Sequence, residues 1–210
     1  MPAITPACQT AIARSTRLKR LNALTATLAG ALPALIMGRA FPGGPERYAI
    51  GFLVGCVWSN AFEYFYHRSL LHRSASLLAR HHMEHHAATG TPAETEHLNF
   101  GESPLWVALL FLGNEIVIIL ADLLLRLRIA PGVLVAFGLY FVVLEEIHWR
   151  VHLDGWLPRG LHFAKSYHLQ HHDRPDSRFN VFLPLFDWVC GTANSQPLAA
   201  VRRTSHRLDL

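Results

Sequence analysis

Ten of the 14 histidines in this chain fall into four short clusters. His67 and His72 stand in HRSLLH, and His82, His85 and His86 in HMEHH. His148 and His152 stand in HWRVH, and His168, His171 and His172 in HLQHH. Neutral imidazole is a good ligand for iron, zinc and copper. A closed tetrahedral site takes about four ligands, so ten histidines are too many for one ion and suit two. His148 and His152 are i and i+4, which places them on one face of a helix. HMEHH and HLQHH each carry histidines at i, i+3 and i+4, again one face. His67 and His72 are five apart, a poor fit to one α-helical face, so a helix is expected to end between them. His81, His97, His162 and His206 lie outside the pattern, although His81 is four residues before His85 and could replace His82.

Metal-bound histidines usually donate the second ring nitrogen to a carboxylate or a carbonyl. Glu63 lies four residues before His67, Glu145 three before His148, and Asp187 beyond the last cluster. These three acids are expected to orient imidazoles without touching a metal themselves. They would also offset part of the charge of two divalent ions, which an all-imidazole shell leaves in place. Imidazole alone does not choose iron over zinc.

The surrounding elements have the composition of a membrane protein. Hydrophobic residues make up 51% of the 210 residues and charged residues 16%, where soluble domains carry roughly 25%. One domain is expected at this length. Four apolar stretches can be drawn, Leu21–Gly38, Tyr48–Phe65, Pro104–Leu125 and Val133–Ile147. A span needs about 20 residues, so the last is short unless its helix runs on into His148. Residues 1–20 form a basic segment without an acid, and 21–210 the membrane domain. The first stretch could close a signal peptide, but no small-x-small site follows it, and an uncleaved membrane helix is expected.

Two tight hairpins, FPGGPE and IAPG, put the N-terminus, the central loop and the tail on one side, with fifteen Lys and Arg against four. That side, with both termini and all four histidine clusters, is expected to be cytoplasmic. A soluble, buried helical core is the competing reading, favoured only by Asn114, Glu115 and Asp122 in the third stretch. The net charge of +4 is compatible with nucleic acid or an anionic membrane surface, and the apolar runs select the membrane. Cys8, Cys56 and Cys190 are far apart and indicate neither a disulfide framework nor a zinc ribbon.

From Glu63 to Thr192 the chain resembles the fatty acid hydroxylase/sterol desaturase superfamily of membrane dimetal oxygenases. EYFYHRSLLH, HMEHH, EEIHWRVH, and YHLQHH with the trailing FNVFLPLFDWVCGT look like the family's four boxes, in order and with their flanks. The resemblance implies an all-α membrane protein, a four-transmembrane-helix bundle with a cytosolic histidine-rich helical cap holding a dimetal centre. It implies the ten clustered histidines as ligands of two iron ions, with zinc able to replace iron in purified samples. It also implies O2 as co-substrate, a lipid entering from the bilayer, and electrons from a cytochrome-b-type or ferredoxin system. No nucleic acid is expected.

The spacing in the third box is most similar to fatty acid 2-hydroxylases; bacterial carotenoid hydroxylases usually have one more residue there. Two departures stand out. Phe41–Gly44 reads FPGG where a fused haem carrier would have HPGG, so the donor is expected to be a separate protein. FDWVCGT has phenylalanine where tryptophan is common. The expected activity is hydroxylation of a lipid C–H bond, with desaturation as the sister outcome. A histidine-rich metal transporter or store would want ligands inside its spans. A zinc-stabilised structural protein would consume no oxygen.

Overall fold

A computed structural model describes residues 6–101 and 103–194, which are helical with no strand among them. The long helices are α1 (Pro6–Ala40), α2 (Pro45–Phe65), α4 (Pro104–Leu125) and α5 (Ala130–His152). Shorter helices α3 (Leu77–Ala88), α6 (His162–Asp173) and α7 (Leu185–Val189) lie between and after them. Local signals set the boundaries. Pro45 and Pro104 occupy first-turn positions where a missing N–H costs nothing. Ser76 Oγ accepts from Ala79 N–H at the start of α3, and Ser103 Oγ from Trp106 N–H at the start of α4.

Three helices among the described residues are long and apolar enough to cross a membrane: α1 from Gln9, α4 and α5. α2 has the length at 21 residues, but Ser59, Asn60 and Glu63 in its last turns make it less apolar. α5 runs through to His152, so the apolar run ending at Ile147 belongs to a helix of full spanning length. α1 also exceeds its apolar run. It begins at Pro6, and the basic stretch from Arg14 to Arg20 is helical with it.

α5 is the hub. Its most apolar window is 72% buried, against 28% in α1 and 33% in α4. The outer helices turn Leu28, Leu32, Leu112, Ile116 and Leu120 outward, the surface expected against lipid tails. Contact with α5 depends on small residues, which let helices approach where lipid gives no hydrophobic drive. Gly51, Gly55 and Ser59 are buried at i+4 intervals on α2. A Cβ on Gly55 would lie 2.6 Å from Ala136 Cβ and 2.8 Å from Val133 Cα. Above this seam Phe62 and Phe111 pack edge-on to Phe137, with ring centroids 5.3 and 4.9 Å away.

The acids of the third apolar stretch have structural surroundings. Asp122 Oδ1 accepts the Ile129 and Ala130 N–H groups at 2.8 and 3.1 Å, which anchors the start of α5. Asn114 accepts from Trp58 of α2. The basic half of α1 reaches the histidine end of the bundle. Asn99 donates to Ser15 Oγ at 2.9 Å, and Lys19 pairs with Glu146 at 2.7 Å.

Candidate metal centre

The helix ends at Leu71, between His67 and His72 as expected, but its last turn is not α-helical. α2 continues into one π-helical turn, Tyr66–Leu71, closed by His72 N–H on the His67 carbonyl at 3.1 Å. The wider turn brings residues five apart nearly into line, as an α-turn would not. The two Nε2 atoms are then 3.2 Å apart. Single π turns of this kind concentrate at functional sites.

All ten clustered histidines converge at this end of the bundle and divide into two groups of five. One holds His67, His72, His82, His86 and His171, the other His85, His148, His152, His168 and His172. Within each, the nitrogens lie within 4.8 Å of one another. The i, i+3, i+4 motifs therefore serve two centres. In α3, His82 and His86 face one group and His85 the other; in α6, His168 and His172 face one and His171 the other. At 3.6 residues per turn, positions i+3 and i+4 diverge by about 100°, enough to address two points.

Hydrogen bonding fixes which nitrogen faces inward. His67 Nδ1–H donates to the Phe179 carbonyl. His148 Nδ1–H donates to the Leu98 carbonyl at 3.0 Å and His171 Nδ1–H to the Ser177 carbonyl at 2.6 Å. His152 Nδ1–H donates to Glu94 at 2.7 Å. The Thr89 hydroxyl spends its proton on the His85 carbonyl and so accepts from His172 Nδ1, 3.0 Å away. A neutral imidazole has one N–H, so these five Nε2 atoms carry bare lone pairs. They point into the two groups, where Nε2 atoms stand 2.9–3.2 Å apart. Both ring nitrogens of His85 and Nε2 of His148 have no hydrogen-bond partner. Converging lone pairs repel one another and are satisfied by a cation, so the donor set fits a metal in each group.

Burial favours the neutral form these ligands need. It holds His82, His85 and His171 well below the usual imidazole range, and the neighbouring imidazoles add to the effect. Burial pushes His72 down to about 4 and His86 to about 3.

The three acids singled out in the sequence sit one step further from the imidazoles than expected. Glu63 accepts from Val181 N–H at 2.7 Å, Asn180 Nδ2 at 2.9 Å and the Tyr140 hydroxyl at 2.6 Å. Asp187 accepts from Phe179 N–H at 2.9 Å, Asn180 N–H at 2.8 Å and the Thr192 hydroxyl at 2.6 Å. Together they pin the segment whose Phe179 carbonyl orients His67. Glu145 accepts Phe100 N–H at 3.1 Å, and so steadies the loop whose Leu98 carbonyl orients His148.

Among the described residues, the acid that touches one of the ten clustered imidazoles is Glu94, on His152. It lies in a loop 58 residues away, and no local pattern marks it. Among the remaining histidines, His81 and His97 line a small cavity beside the centre. His162 Nε2–H donates to the Leu157 carbonyl at 2.8 Å, and His206 lies outside the described residues.

That cavity also reaches His82, His85 and His148, members of both groups. Tyr66 and Phe100 wall it, and the same two rings wall an apolar pocket between α2, α4 and α5. Phe100 stands 5.7 Å from the His67 ring and 5.8 Å from the His148 ring.

A cap of paired histidine groups on an apolar helical bundle defines a membrane-protein class, and sequence comparison places the chain within it. Residues 52–192, 141 of the 210, match the fatty acid hydroxylase family, and the chain belongs to that family. The fold is similar to that of a solved structure of full-length Scs7p in which only the hydroxylase domain is visible. The TM-score is 0.61 at 23% identity, over 80% of this chain and 66% of that one. No curated protein matches the chain.

Proposed function

We propose that the chain is a membrane-bound, O2-dependent hydroxylase of a lipid C–H bond, with two irons held by the ten histidines. The observation that carries this reading is the pair of five-imidazole groups meeting an apolar cavity across Tyr66 and Phe100. Two irons with O2 would supply the power to oxidise an unactivated carbon; the same ligands accept zinc in purified protein. The chain's own residues do the rest. Phe62, Phe137, Phe141 and Leu144 hold a hydrocarbon chain away from water, and Phe100 aims it at the gap between His82 and His148. The inward Nε2 lone pairs are preset by the Phe179, Leu98 and Ser177 carbonyls, so metal binding needs no reorientation of those rings.

On this reading α2 is a fourth membrane-inserted helix, and residues 21–210 act as one domain. The histidine cap and both termini face the cytoplasm, where a cytochrome-b-type or ferredoxin donor supplies electrons. Lipid mass spectrometry of cells with the wild-type chain or His82→Ala tests the reading. The wild type should yield lipids heavier by one oxygen, and the variant none. A loss of two hydrogens in place of that gain would make the protein a desaturase, and identical lipids would remove the oxidase reading.

A further inference from the structure

The chain leaves the cap after α6 and comes back down beside α2. Phe182 packs its ring on Tyr140 with centroids 5.1 Å apart, and Tyr140 is the middle residue of the apolar run Val133–Ile147. It stands eight residues before His148 on α5, about 12 Å along the helix away from the histidine centre. Asn60 of α2 ties the two together. Its Nδ2–H2 group donates to the Tyr140 hydroxyl at 2.7 Å and to the Leu183 carbonyl at 2.6 Å. Phe186 then meets the Tyr64 and Phe65 rings, and α7 packs on α2. Residues 181–189 therefore lie beside the apolar layer of the bundle, below the histidine cap.

The backbone of this segment is satisfied as lipid requires. No water replaces a missing partner in hydrocarbon, so irregular chain survives at that depth only where protein supplies the bonds. Val181 N–H donates to Glu63 Oε1 at 2.7 Å and Phe186 N–H to Asn60 Oδ1 at 3.2 Å, both acceptors on α2. Asp187 N–H donates to Asn180 Oδ1 at 3.3 Å. Leu185 and Trp188 N–H donate to the Leu183 and Pro184 carbonyls, and Pro184 has no N–H to satisfy. A loop in water would not need two polar side chains from a helix this apolar. The outward face is apolar as well. Trp188 is 64% exposed and Val189 70%, and Leu183 is exposed beside them. The patch continues onto α2 through the exposed Phe65, whose ring centroid is 6.1 Å from that of Phe186. Exposed apolar patches mark membrane or protein contacts, and tryptophan is enriched where membrane meets water.

We propose that residues 183–189, LPLFDWV, re-enter the membrane from the cap and set Leu183, Trp188 and Val189 against lipid acyl chains. The occupant of the patch is the bilayer, because the contacts to Tyr140 and Asn60 fix the segment at a depth where lipid surrounds the bundle. The stretch that leads into it begins at Phe179, whose carbonyl holds His67 Nδ1–H. The membrane thus seats the segment that orients one of the imidazoles. The anchor needs the helical bundle to stand in a bilayer and does not depend on the oxidation chemistry.

Depth is read at single sites by nitroxide labelling. The full chain, carrying Cys8→Ser, Cys56→Ala and Cys190→Ser, is reconstituted in phosphatidylcholine vesicles with a spin label on one introduced cysteine. Collisions with oxygen, which concentrates among acyl chains, are compared with those of a neutral nickel chelate, which stays in water. Trp188→Cys and Val189→Cys should favour oxygen as strongly as Leu112→Cys on the outer face of α4. Ala93→Cys, exposed in the loop after α3, should favour nickel. Nickel prevailing at 188 and 189 puts the patch in water, and few collisions with either reagent put it under protein; each result overturns the proposal. If Leu112→Cys favours nickel, the bundle itself is not in the bilayer and the anchor falls with it. A second measurement needs no cysteine replacement. The emission lost in Trp188→Phe relative to the wild type should be quenched by brominated phosphatidylcholine, and an unquenched difference also overturns the proposal.

Discussion

Asp187→Asn isolates the link between a buried carboxylate and a ring it never touches. The carboxylate is fully buried and accepts two backbone N–H groups, from Phe179 and Asn180, and one hydroxyl, from Thr192. Hydrogen bonds to a charged acceptor contribute about 1.5–3 kcal/mol each. Asparagine keeps one acceptor oxygen and turns the other into a donor. One backbone N–H then faces an NH2 group, and the remaining bonds lose their charge. The expected loss is about 2–4 kcal/mol, since the stranded N–H is buried and cannot recruit water. Part of that loss is relieved by movement of the 179–180 segment, which releases the Phe179 carbonyl from His67 Nδ1. His67 then loses its fixed tautomer, and metal affinity should fall by roughly 10–100-fold.

Metal titration and thermal unfolding of the purified variant, each with and without metal, read both effects. Thr192→Val removes only the hydroxyl donor and should cost about 1 kcal/mol with metal affinity retained. An Asp187→Asn protein that is less stable yet binds metal like the wild type would refute the coupling. Asp187 would then be a loop anchor with no bearing on the centre.

Three further outcomes follow from the same contacts. Glu94→Leu removes the carboxylate on His152 and should lower metal affinity by roughly 10–100-fold in a titration, whereas Glu94→Gln, which can still accept, should lose less. Gly55→Leu drives a side chain into Ala136 and Val133 and should cost about 1–3 kcal/mol in detergent unfolding. In metal-free protein, burial holds His72 at about 4 and His86 at about 3, below the unfolded value of about 6.5. The unfolded chain binds more protons in between, so stability is intact above about pH 6.5 and falls as pH drops toward 4; a flat profile would show these rings to be solvated.

The metal-bearing residues were legible because their type and spacing are local. All ten histidines cluster within short windows, and helices at i, i+3 and i+4 bring such residues together whatever the tertiary fold. The fan of i+3 against i+4 was also in the spacing, but "one face" concealed that the face serves two points. The His67–His72 pair needed a π turn, which a five-residue gap permits and does not announce. The acids were half legible. Glu63 is one turn from His67 in sequence, yet its oxygens are claimed by Asn180 and Val181, 117 and 118 residues away. Contacts at that separation have no signature in a single sequence. The start of α1 was not legible, because charge marks a membrane boundary and not a helix end. The basic turn stays helical by packing on Asn99 and Glu146.

The division of ligands has a consequence for how metal would hold the fold together. The first half of the centre, from the π turn through α3, gives His67, His72, His82 and His86 to one group and lends His85 to the other. The second half, from the end of α5 through α6, gives His148, His152, His168 and His172 to its own group and lends His171 back. Four imidazoles close in sequence already suffice for a tetrahedral ion such as zinc. Such a set is also open to metal in a partly unfolded chain, and binding to that state weakens any stabilisation of the native one. The lent histidines are the native-only ligands, since each reaches its group only when both halves are docked. Removing them together, in His85→Ala/His171→Ala, should leave two zinc ions per chain and yet shrink the rise in melting temperature that zinc produces. His72→Ala/His152→Ala removes as many ligands but spares the exchange, and should keep more of that rise. If the two double variants lose the zinc effect equally, the halves are held by helix packing alone and the crossed ligands serve only coordination.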